Sequence, residues 1–329
     1  MKAWRAHELG EPEDVLRLDD VDQPEPGPGE VAVRVEACGL NFPDVLLLKG
    51  QYQVKPPLPI TPGLEVSGVV EAVGDGAALD VGARVLALPT TPHGGLAERV
   101  VVARAAAFPV PESMTFEEAA SLHITYQTSH VALHRRAALR PGETLLVHAG
   151  AGGVGSAAIQ LGLAAGARVL ATAGGPEKVD VCRRLGAEVA IDYTSEDFVD
   201  VVKGATGGKG ADVIYDPVGG DVFDRSRRCV AWEGRILVIG FTGGRIADAP
   251  TNHILLKNYA VVGVHWGMYA TMEPTLMART HADLLRLHGE GAIAPLVGRA
   301  VAMGEAPAAL RALADRKTVG KVVVRPTQR

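Results

Sequence analysis

The amino-acid sequence predicts an α/β protein with two domains, one rich in antiparallel strands and one built on a doubly wound parallel sheet. The chain has 329 residues, of which 47% are hydrophobic, enough for two cores. Before about residue 120, short β-like runs alternate with proline and glycine clusters. After it, apolar runs alternate with helical patterns. This change of pattern predicts the two architectures.

The first domain is predicted from four β-like runs, which are EVAVRVEAC, VSGVVEAVG, ARVLALP and AERVVVA. Their spacing and their proline and glycine borders are typical of bent strands in a barrel-like domain.

The second domain is predicted from six strand and helix units. Strands are expected near 144–149, 168–172, 188–191, 211–215, 235–239 and 260–264, with helices that include 153–165, 176–185 and 195–203. The tail adds helices at 277–288 and 306–314 and a β-branched strand at 321–325, which we expect to rejoin the first domain. The predicted domains are therefore 1–122 with 266–329, and 123–265.

Composition narrows the class of protein. A formal net charge of −5 and the lack of long lysine or arginine runs argue against a nucleic-acid or membrane-surface partner. No apolar run reaches about 18 residues, and the first residues lack a signal-peptide pattern. Cys38, Cys182 and Cys229 are widely spaced, which favours a reducing, cytoplasmic location.

The most informative motif is Gly150-x-Gly152-x-x-Gly155, between an apolar strand pattern and a helical pattern. In this context we expect Gly150 to make the tight turn, Gly152 to let phosphates approach the backbone, and Gly155 to let helix and strand pack closely. With Gly153 and Val154, these residues are predicted to bind a dinucleotide at a helix N-terminus. The alternative is a tight strand-to-helix turn without a ligand.

The nucleotide is predicted to be NADPH. The acidic residue that would bind the ribose 2'-hydroxyl of NAD is missing after the second strand, which ends in Ala173, Gly174 and Gly175. The next helix carries Lys178, whose charge suits a 2'-phosphate. The alternative for Lys178 is a solvated helix residue.

Five segments together resemble the medium-chain dehydrogenase/reductase superfamily in its quinone oxidoreductase (zeta-crystallin-like) branch. They are VAVRVEACGLNFPD, TPGLEVSGVVEAVG, HAGAGGVGSAAIQLG, DPVGGD and KTVGKVVV. The resemblance implies a GroES-like catalytic domain, a Rossmann domain that binds the cofactor, and an active site in the cleft between them.

The resemblance also predicts that no metal is bound. Zinc members of the superfamily place ligands at the positions that are Asn41 and Leu64 here, and neither side chain is a useful zinc ligand. Cys38 and Glu65 remain nearby, but we expect structural roles for both. His93 and His123 are interpreted as a loop and a core histidine.

Without zinc, the expected reaction is reduction of an acceptor that conjugation already activates. A hydride from NADPH would pass to a quinone or an α,β-unsaturated carbonyl, and orientation alone can contribute about 7 to 11 kcal/mol. Two alternatives stay open. One is an enoyl-thioester (acyl-CoA) reductase, and the other is a non-catalytic NADPH-binding sensor or structural protein.

Two residues of the first domain are predicted to be catalytic. The Asn41 amide could bind the nicotinamide end or the substrate oxygen, and its alternative is a turn residue before Pro43. Tyr52 resembles the tyrosine of related enoyl reductases and could donate a proton, or could simply line the substrate pocket.

Further cofactor contacts follow from the resemblance. Lys178 and Tyr193 match positions that line the adenosine phosphate, although Tyr193 could equally cap a core edge. Arg316 matches a basic residue that reaches the cofactor, with Lys317 as its rival. The remaining candidates lie in loops that face the nicotinamide in this fold, and they are Thr125, Val218, Gly219, Gly240 and Phe241.

The segment 252–269 is rich in β-branched and aromatic residues. Its run from Val261 could be an edge strand that pairs across the axis of a homodimer. His265, Trp266, Met268 and Tyr269 would then border the substrate cleft, or would simply pack.

Overall fold

The computed structural model describes residues 1–326, which form two compact units. The first unit contains Met1–Ile124 and the chain from Pro295 onward. The second contains Thr125–Ala294. Within the described residues, no helix combines the length and apolar composition needed to cross a membrane.

The first unit begins with seven strands, which are β1 (Lys2–Ala6), β2 (Leu16–Asp20), β3 (Glu30–Gly39), β4 (Val66–Val73), β5 (Arg84–Ala87), β6 (Arg99–Ala103) and β7 (Ala107–Pro109). Its helices are α1 (Pro12–Val15), α2 (Phe42–Leu48) and α3 (Phe116–Ala119), with a 3-10 turn at Arg104–Ala106. Helix α4 (His123–His130) leads into the second unit and continues as a π-helix, Val131–Arg136.

The second unit alternates strands and helices. Its strands are β8 (Thr144–Val147), β9 (Arg168–Ala173), β10 (Val189–Asp192), β11 (Ala211–Asp216), β12 (Val230–Val238) and β13 (Ala260–Gly263). Its helices are α5 (Gly153–Ala164), α6 (Pro176–Arg184), α7 (Phe198–Ala205), α8 (Gly220–Ser226), α9 (Thr251–Lys257), α10 (Tyr269–Met272) and α11 (Pro274–Gly289), with a 3-10 turn at Trp266–Met268.

The chain returns to the first unit through β14 (Val297–Ala302), a 3-10 turn at Met303–Glu305, α12 (Ala306–Ala314) and β15 (Lys321–Arg325). Strand β15 pairs with β14 and, antiparallel, with the Cys38 and Gly39 end of β3. The prediction that the tail rejoins the first domain as a strand is therefore confirmed.

The first unit is built mainly on antiparallel strands, which include the four predicted ones. Its main sheet runs β14-β15-β3-β4-β5-β7, with β6 paired to β3, and β1 and β2 form a separate ribbon. Valines from β3, β4, β5, β6 and β15 fill its core. Their β-branched side chains suit a pleated, half-buried surface.

The second unit is a six-stranded sheet in the order β10-β9-β8-β11-β12-β13, and every pairing in it is parallel. This is the doubly wound order, in which successive strands are added on one side of β8 and then, from β11 onward, on its other side. The switch point lies between β8 and β11. Its core includes residues from five of the strands, among them Leu146, Leu170, Ile191, Ile214 and Ile236. Ligands of such sheets bind outside the carboxyl ends of the strands at the switch point.

Several boundaries in the structure differ from the expected ones, and two of the differences have a clear cause. The second unit extends to Ala294 rather than to residue 265, because Tyr126 and Gln160 both bind the Ala294 carbonyl and Gln127 binds that of Met277 in α11. Helix α7 begins at Phe198 rather than at residue 195, because Asp197 caps it by accepting a hydrogen bond from the Val199 amide.

Candidate functional site

The glycine turn joins the carboxyl end of β8 to α5, at the switch point of the second unit. Helix α5 begins at Gly153, so the amides of Gly153, Val154 and Gly155 are its first three and have no partner within the helix. The helix dipole adds partial positive charge there. The turn therefore has the donors and the field that bind a pyrophosphate.

Each glycine of the turn has a distinct steric role. A Cβ on Gly155 would lie 2.1 Å from the Ala149 carbonyl oxygen, so helix and turn pack as predicted. A Cβ on Gly152 would meet nothing closer than 3.3 Å, which leaves its backbone open to a ligand. The role of Gly150 differs from the prediction. Ala149, at φ 52°, makes the left-handed turn, and Gly150 packs against Cys182, whose Sγ would lie 2.8 Å from an added Cβ.

His148 directly precedes this turn and anchors it through two side-chain contacts. The sequence analysis did not select it. Its Nδ1 is 3.0 Å from Thr172 Oγ1 in β9, and its Nε2 is 2.8 Å from Ser226 Oγ in α8. Burial, reinforced by Arg225, lowers the pKa of His148 to about 4. The neutral imidazole therefore connects β9 and α8 to the residue that precedes the turn. The available signal was a polar residue directly after the apolar run Leu145–Val147 of β8.

The end of β9 brings together the residues predicted to receive the 2'-phosphate. The Tyr193 hydroxyl lies 2.6 Å from where a Cβ on Gly174 would be, so the ring covers that glycine. Lys178 is half-buried in the first turn of α6, two residues beyond its start at Pro176. Tyr193 is about half exposed, so it does not cap a core edge.

The same place holds a carboxylate that the sequence analysis missed. Asp192 Oδ1, at the end of β10, accepts hydrogen bonds from the Gly175 amide at 2.9 Å and from Thr194 Oγ1 at 2.6 Å. The bond from the Thr194 side chain is the main cause that lowers the pKa of Asp192. The neighbouring strand therefore supplies an acid beside the end of β9, where the sequence analysis found none after the second strand. Its Oδ1 is already committed to shaping the loop.

The loops after β11 and β12 lie against each other. Asp216 Oδ1 accepts hydrogen bonds from the amides of Val218 and Gly219, at 2.8 and 2.9 Å. A Cβ on Gly219 would lie 3.1 Å from the Phe241 ring, and one on Gly240 would lie 3.4 Å from the Pro217 oxygen. These four predicted residues therefore gather at one end of the sheet, beside a small apolar pocket of about 140 Å³ that Phe241 lines.

Thr125 is buried in α4, and its carbonyl accepts a hydrogen bond from Ser129 Oγ. Ser129 also contacts the Val154 carbonyl at 3.1 Å and the Tyr215 hydroxyl at 2.9 Å. Helix α4 is thereby attached to the first turn of α5. The structure supports Thr125 as part of the frame of the turn, while direct contact with a cofactor stays a prediction.

The first unit contains a buried ionic network where β3, β4 and β15 meet. Lys321 Nζ donates to Asn41 Oδ1 at 2.7 Å, to the Leu40 carbonyl at 2.9 Å and to Glu65 Oε2 at 3.2 Å. The side chains of Lys321 and Glu65 are 4% and 0% exposed, so the pair is removed from water. Three donor bonds satisfy all the hydrogens of this ammonium.

The other oxygen of Glu65 binds the start of α4. Glu65 Oε1 accepts the His123 amide at 2.6 Å and the Ile124 amide at 3.0 Å. A carboxylate at a helix N-terminus is favoured by the dipole as well as by these bonds. Glu65 therefore has the structural role that was predicted for it, as a link between two segments.

Asp44 extends the network into α2. Its two oxygens accept the amides of Gly63 and Asn41, both at 2.8 Å. Burial raises the pKa of Asp44 to about 6, although these backbone hydrogen bonds oppose the effect. Burial, with a smaller contribution from the Asp44 charge, also raises the pKa of the half-buried Tyr52. Tyr52 therefore carries its proton at neutral pH.

Asn41 is less available than the sequence suggested. Its Nδ2 donates to the Gly39 carbonyl at 3.0 Å and to Glu65 at 3.2 Å, while its oxygen accepts from Lys321. The side chain is 5% exposed. Its amide hydrogens and one lone pair are thus engaged within the unit, so only the second lone pair of Oδ1 could accept a hydrogen bond from a ligand.

In the part of the chain that the structure describes, no three histidine, cysteine or acidic side chains cluster in a way that could hold a metal ion. His93 is in an exposed loop, and His123 is buried against Phe108, with ring centroids 4.8 Å apart. Cys38 is buried, and desolvation raises the pKa of its thiol well above the usual range.

Arg316 and Lys317 are both exposed at the end of α12. Arg316 has a left-handed backbone, at φ 59°, and Lys317 pairs with Asp315 at 3.1 Å. Contact of either residue with a cofactor stays a prediction.

Strand β13 is an edge strand, as expected for the segment 252–269. Among the strands of residues 1–326, it pairs only with β12. Leu255 and Leu256 in α9 are 74% and 73% exposed. Met268 is exposed, whereas the Trp266 indole donates to Gln127 Oε1 at 3.3 Å. The segment therefore combines an open strand edge with exposed apolar side chains.

Two family models match the chain. One, described as an alcohol dehydrogenase GroES-like domain, matches residues 27–112, and the other, described as a zinc-binding dehydrogenase, matches residues 153–281. Quinone oxidoreductase-like protein 2 of Rattus norvegicus is 38% identical over 98% of this chain and 92% of its own length.

Solved structures are similar to this chain over nearly its whole length. The quinone oxidoreductase of Thermus thermophilus, described also in its complex with NADPH, is 40% identical with a TM-score of 0.86 and covers 99% of this chain and 100% of its own. The CurK enoyl reductase is 29% identical with a TM-score of 0.88 over 98% of both chains. The chain therefore belongs to the medium-chain dehydrogenase/reductase superfamily, in its quinone oxidoreductase-like branch.

Proposed function

We propose that the protein is an NADPH-dependent, zinc-independent reductase of quinones or α,β-unsaturated carbonyls. The observation that carries the proposal is the buried ammonium of Lys321. It bonds to Asn41 and Glu65, in the two segments from which zinc-dependent members of the superfamily take metal ligands. A second cation placed beside this ammonium would be repelled.

The second unit fits NADPH. The first three amides of α5 face the position of a pyrophosphate, and Gly152 leaves room for its approach. Lys178 and Tyr193 flank the bare end of β9, where a 2'-phosphate would lie. The Thermus thermophilus relative, with its NADPH complex, supports the same cofactor. When bound, NADPH supplies the hydride, and the protein supplies position and hydrogen bonds.

The first unit offers two groups for the reduced acceptor. Tyr52 is protonated at neutral pH and can donate a hydrogen bond, or a proton, to an oxygen that gains charge during reduction. Asn41 is held by Lys321, which fixes its amide plane. We assign Tyr52 to the acceptor and Asn41 to a position where its remaining lone pair orients a donor group.

A second candidate, an enoyl-thioester reductase, is favoured by the likeness to the CurK enoyl reductase. Both reactions add a hydride to a conjugated system, so the same residues serve both. They differ in the acceptor alone.

We further propose a homodimer that forms through β13. Its free edge and the exposed Leu255 and Leu256 would both be covered by a second copy. Light scattering that shows a monomer at micromolar concentration would exclude this assembly. The three cysteines are buried and unpaired, in keeping with the predicted cytoplasmic location.

The acceptor class is tested by NADPH oxidation at 340 nm against 1,4-benzoquinone, 9,10-phenanthrenequinone, an enone, crotonyl-CoA and a plain aldehyde. We expect turnover of a quinone or the enone and none of the aldehyde. Selective turnover of crotonyl-CoA would establish the second candidate instead. NADPH binding without turnover of any acceptor would indicate a sensor or structural protein.

A further inference from the structure

The second unit has a basic pocket at the amino ends of its strands, whereas the glycine turn lies at their carboxyl ends. It measures about 520 Å³ and lies where β11 and β12 begin and where α7 and α9 end. The carboxyl ends of parallel strands share one edge, and the glycine turn follows the carboxyl end of β8. The pocket is therefore separate from every residue assigned above to the cofactor.

Four cationic side chains line this pocket, and no acidic residue among the described ones does. Lys209 pairs with Asp212 at 2.8 Å, and Lys257 Nζ donates to the Val230 carbonyl at 2.9 Å. The other two, Lys203 and Arg228, form no side-chain hydrogen bond or ion pair with any residue from 1 to 326. Two charges are thus available to a ligand.

Helix ends explain only part of this clustering. Helices α7, α8 and α9 all end here, and each C-terminus carries about half a negative charge. Together with Asp212, they offset roughly 2.5 of the four positive charges. An excess of about 1.5 charges remains, which a dianion would neutralise.

One buried polar atom of a lining residue, Nδ1 of His253, lacks a partner within residues 1–326. Behind the lining, the buried hydroxyl of Tyr259 also lacks one, and the Tyr259 ring is 5.9 Å from the His253 ring. Unsatisfied buried groups are rare in native proteins, so they indicate a missing ligand atom or water. Burial, and then the charges of Arg227 and Lys257, lower the pKa of His253, which leaves a neutral ring able to form a hydrogen bond.

One wall of the pocket is apolar. The Trp232 ring lines it and is 61% exposed, which is unusual for a side chain of this size. A flat exposed ring beside cations suits a ligand that has both a charged group and an organic part.

We propose that this pocket binds a phosphate ester that carries two negative charges, with Lys203 and Arg228 as its charged ligands, His253 as a hydrogen-bonding ligand and Trp232 as its apolar wall. The volume exceeds that of inorganic phosphate, so the ester is a larger molecule. The source of the phosphate group is either a soluble metabolite or a lipid headgroup, and the concave shape favours the soluble one.

The test is calorimetric titration of inorganic pyrophosphate into the protein saturated with NADPH, which occupies the predicted cofactor site. We expect binding that weakens with salt and that becomes at least about tenfold weaker in a Lys203→Gln/Arg228→Gln variant, since each lost charged hydrogen bond has about this effect. The matched control is Arg184→Gln, an exposed arginine of the same unit at the end of α6. It should bind as the wild type does.

A second arm identifies the source. Vesicles of phosphatidylcholine with phosphatidic acid, whose headgroup is a phosphomonoester, are sedimented with the wild type and with the double variant. Binding of vesicles but not of pyrophosphate, lost in the double variant, would assign the site to headgroups. The proposal is wrong if neither probe binds, or if the double variant binds both as tightly as the wild type. Unchanged circular dichroism of the variant keeps these outcomes separate from misfolding.

Discussion

At the scale of single residues, Lys321 holds three segments of the first unit together. One ammonium links the end of β3, the start of α2 and the residue before β4 through Leu40, Asn41 and Glu65. A buried ion pair contributes little net stability by itself, because both charges lose water. Removing one partner is costly, because the other charge is left buried.

Lys321→Met should therefore destabilise the protein by about 3 to 5 kcal/mol in denaturant unfolding. The Lys321→Met/Glu65→Gln double variant should lose less than the sum of the single variants, because neither charge is then left alone. Exposed Lys55→Met is the control and should stay within about 0.5 kcal/mol of the wild type. A Lys321→Met variant as stable as the control would remove the network from this account.

We expect Lys178 to discriminate between the two nicotinamide nucleotides. Lys178→Glu should weaken NADPH at least about tenfold while it affects NADH far less, because the new carboxylate faces the 2'-phosphate. Titration of nucleotide binding by fluorescence measures both. Arg184→Glu makes the same change of charge at the other end of α6 and should affect both nucleotides little. Equal losses for both nucleotides in Lys178→Glu would exclude Lys178 from the phosphate site.

His148 makes stability depend on pH. Its pKa in the fold is about 4 against an ordinary value of 6.5, so its contribution is complete above pH 6.5 and is lost as the pH falls towards 4. The difference, 6.5 − 4, corresponds to about 3 kcal/mol. His130, with its pKa also lowered to about 4 by burial and by His134, acts in the same direction.

A His148→Gln variant should accordingly show a shallower decline of unfolding free energy between pH 6.5 and 4 than the wild type. Denaturant unfolding at a series of pH values measures this decline. His93→Gln, in an exposed loop, should leave the decline unchanged. A decline of wild-type steepness in His148→Gln would contradict the assignment.

At the scale of elements, the β8–α5 turn depends on the absence of a side chain at Gly155. An added Cβ would lie 2.1 Å from the Ala149 oxygen and 2.8 Å from the Gly150 Cα, both backbone atoms that cannot move independently. The turn must then open, and the amides of α5 lose their alignment.

Gly155→Ala should abolish measurable NADPH binding and lower the melting temperature. Gly204→Ala in α7 is the matched control, since its Cβ would meet nothing within 4 Å and alanine favours helix. The control should be as stable as the wild type or more so. NADPH affinity in Gly155→Ala equal to that of the control would show that the turn does not bind the nucleotide.

The elements themselves were largely predictable, and the exceptions have physical causes. All six strands of the second unit and the tail strand β15 appear at or near the predicted positions, although β12 begins at Val230, ahead of the strand expected near 235–239. The start of α7 was misplaced because the cap at Asp197 competes with a turn that Asp192 stabilises. Contacts between distant segments, such as that of Gln160 with Ala294, set the end of the second unit and leave no local pattern.

In the candidate site too, features set by local sequence were predictable, and features set by contacts between distant segments were not. The glycine turn is local, so its spacing was sufficient to find it. Asp192 and His148 act through neighbours on other strands, at Gly175, Thr172 and Ser226, and only the sheet order brings these together. The engagement of Asn41 by Lys321 joins residues far apart in sequence and could not be predicted from either segment.

At the scale of the whole molecule, the second unit fits NADPH, and the first unit has no cluster of metal ligands among its described residues. Fold alone does not decide the reaction, because zinc-dependent and zinc-free enzymes share it. The distinction between zinc-dependent and zinc-free enzymes rests here on Lys321, Asn41 and Leu64. It predicts that turnover does not require zinc.

The most direct test of that claim is the rate of NADPH oxidation with 9,10-phenanthrenequinone after exhaustive dialysis against a chelator, compared with the same enzyme given zinc. The account predicts equal rates in both samples, and a higher kcat/KM with NADPH than with NADH. Activity that disappears with the chelator and returns with zinc would contradict it.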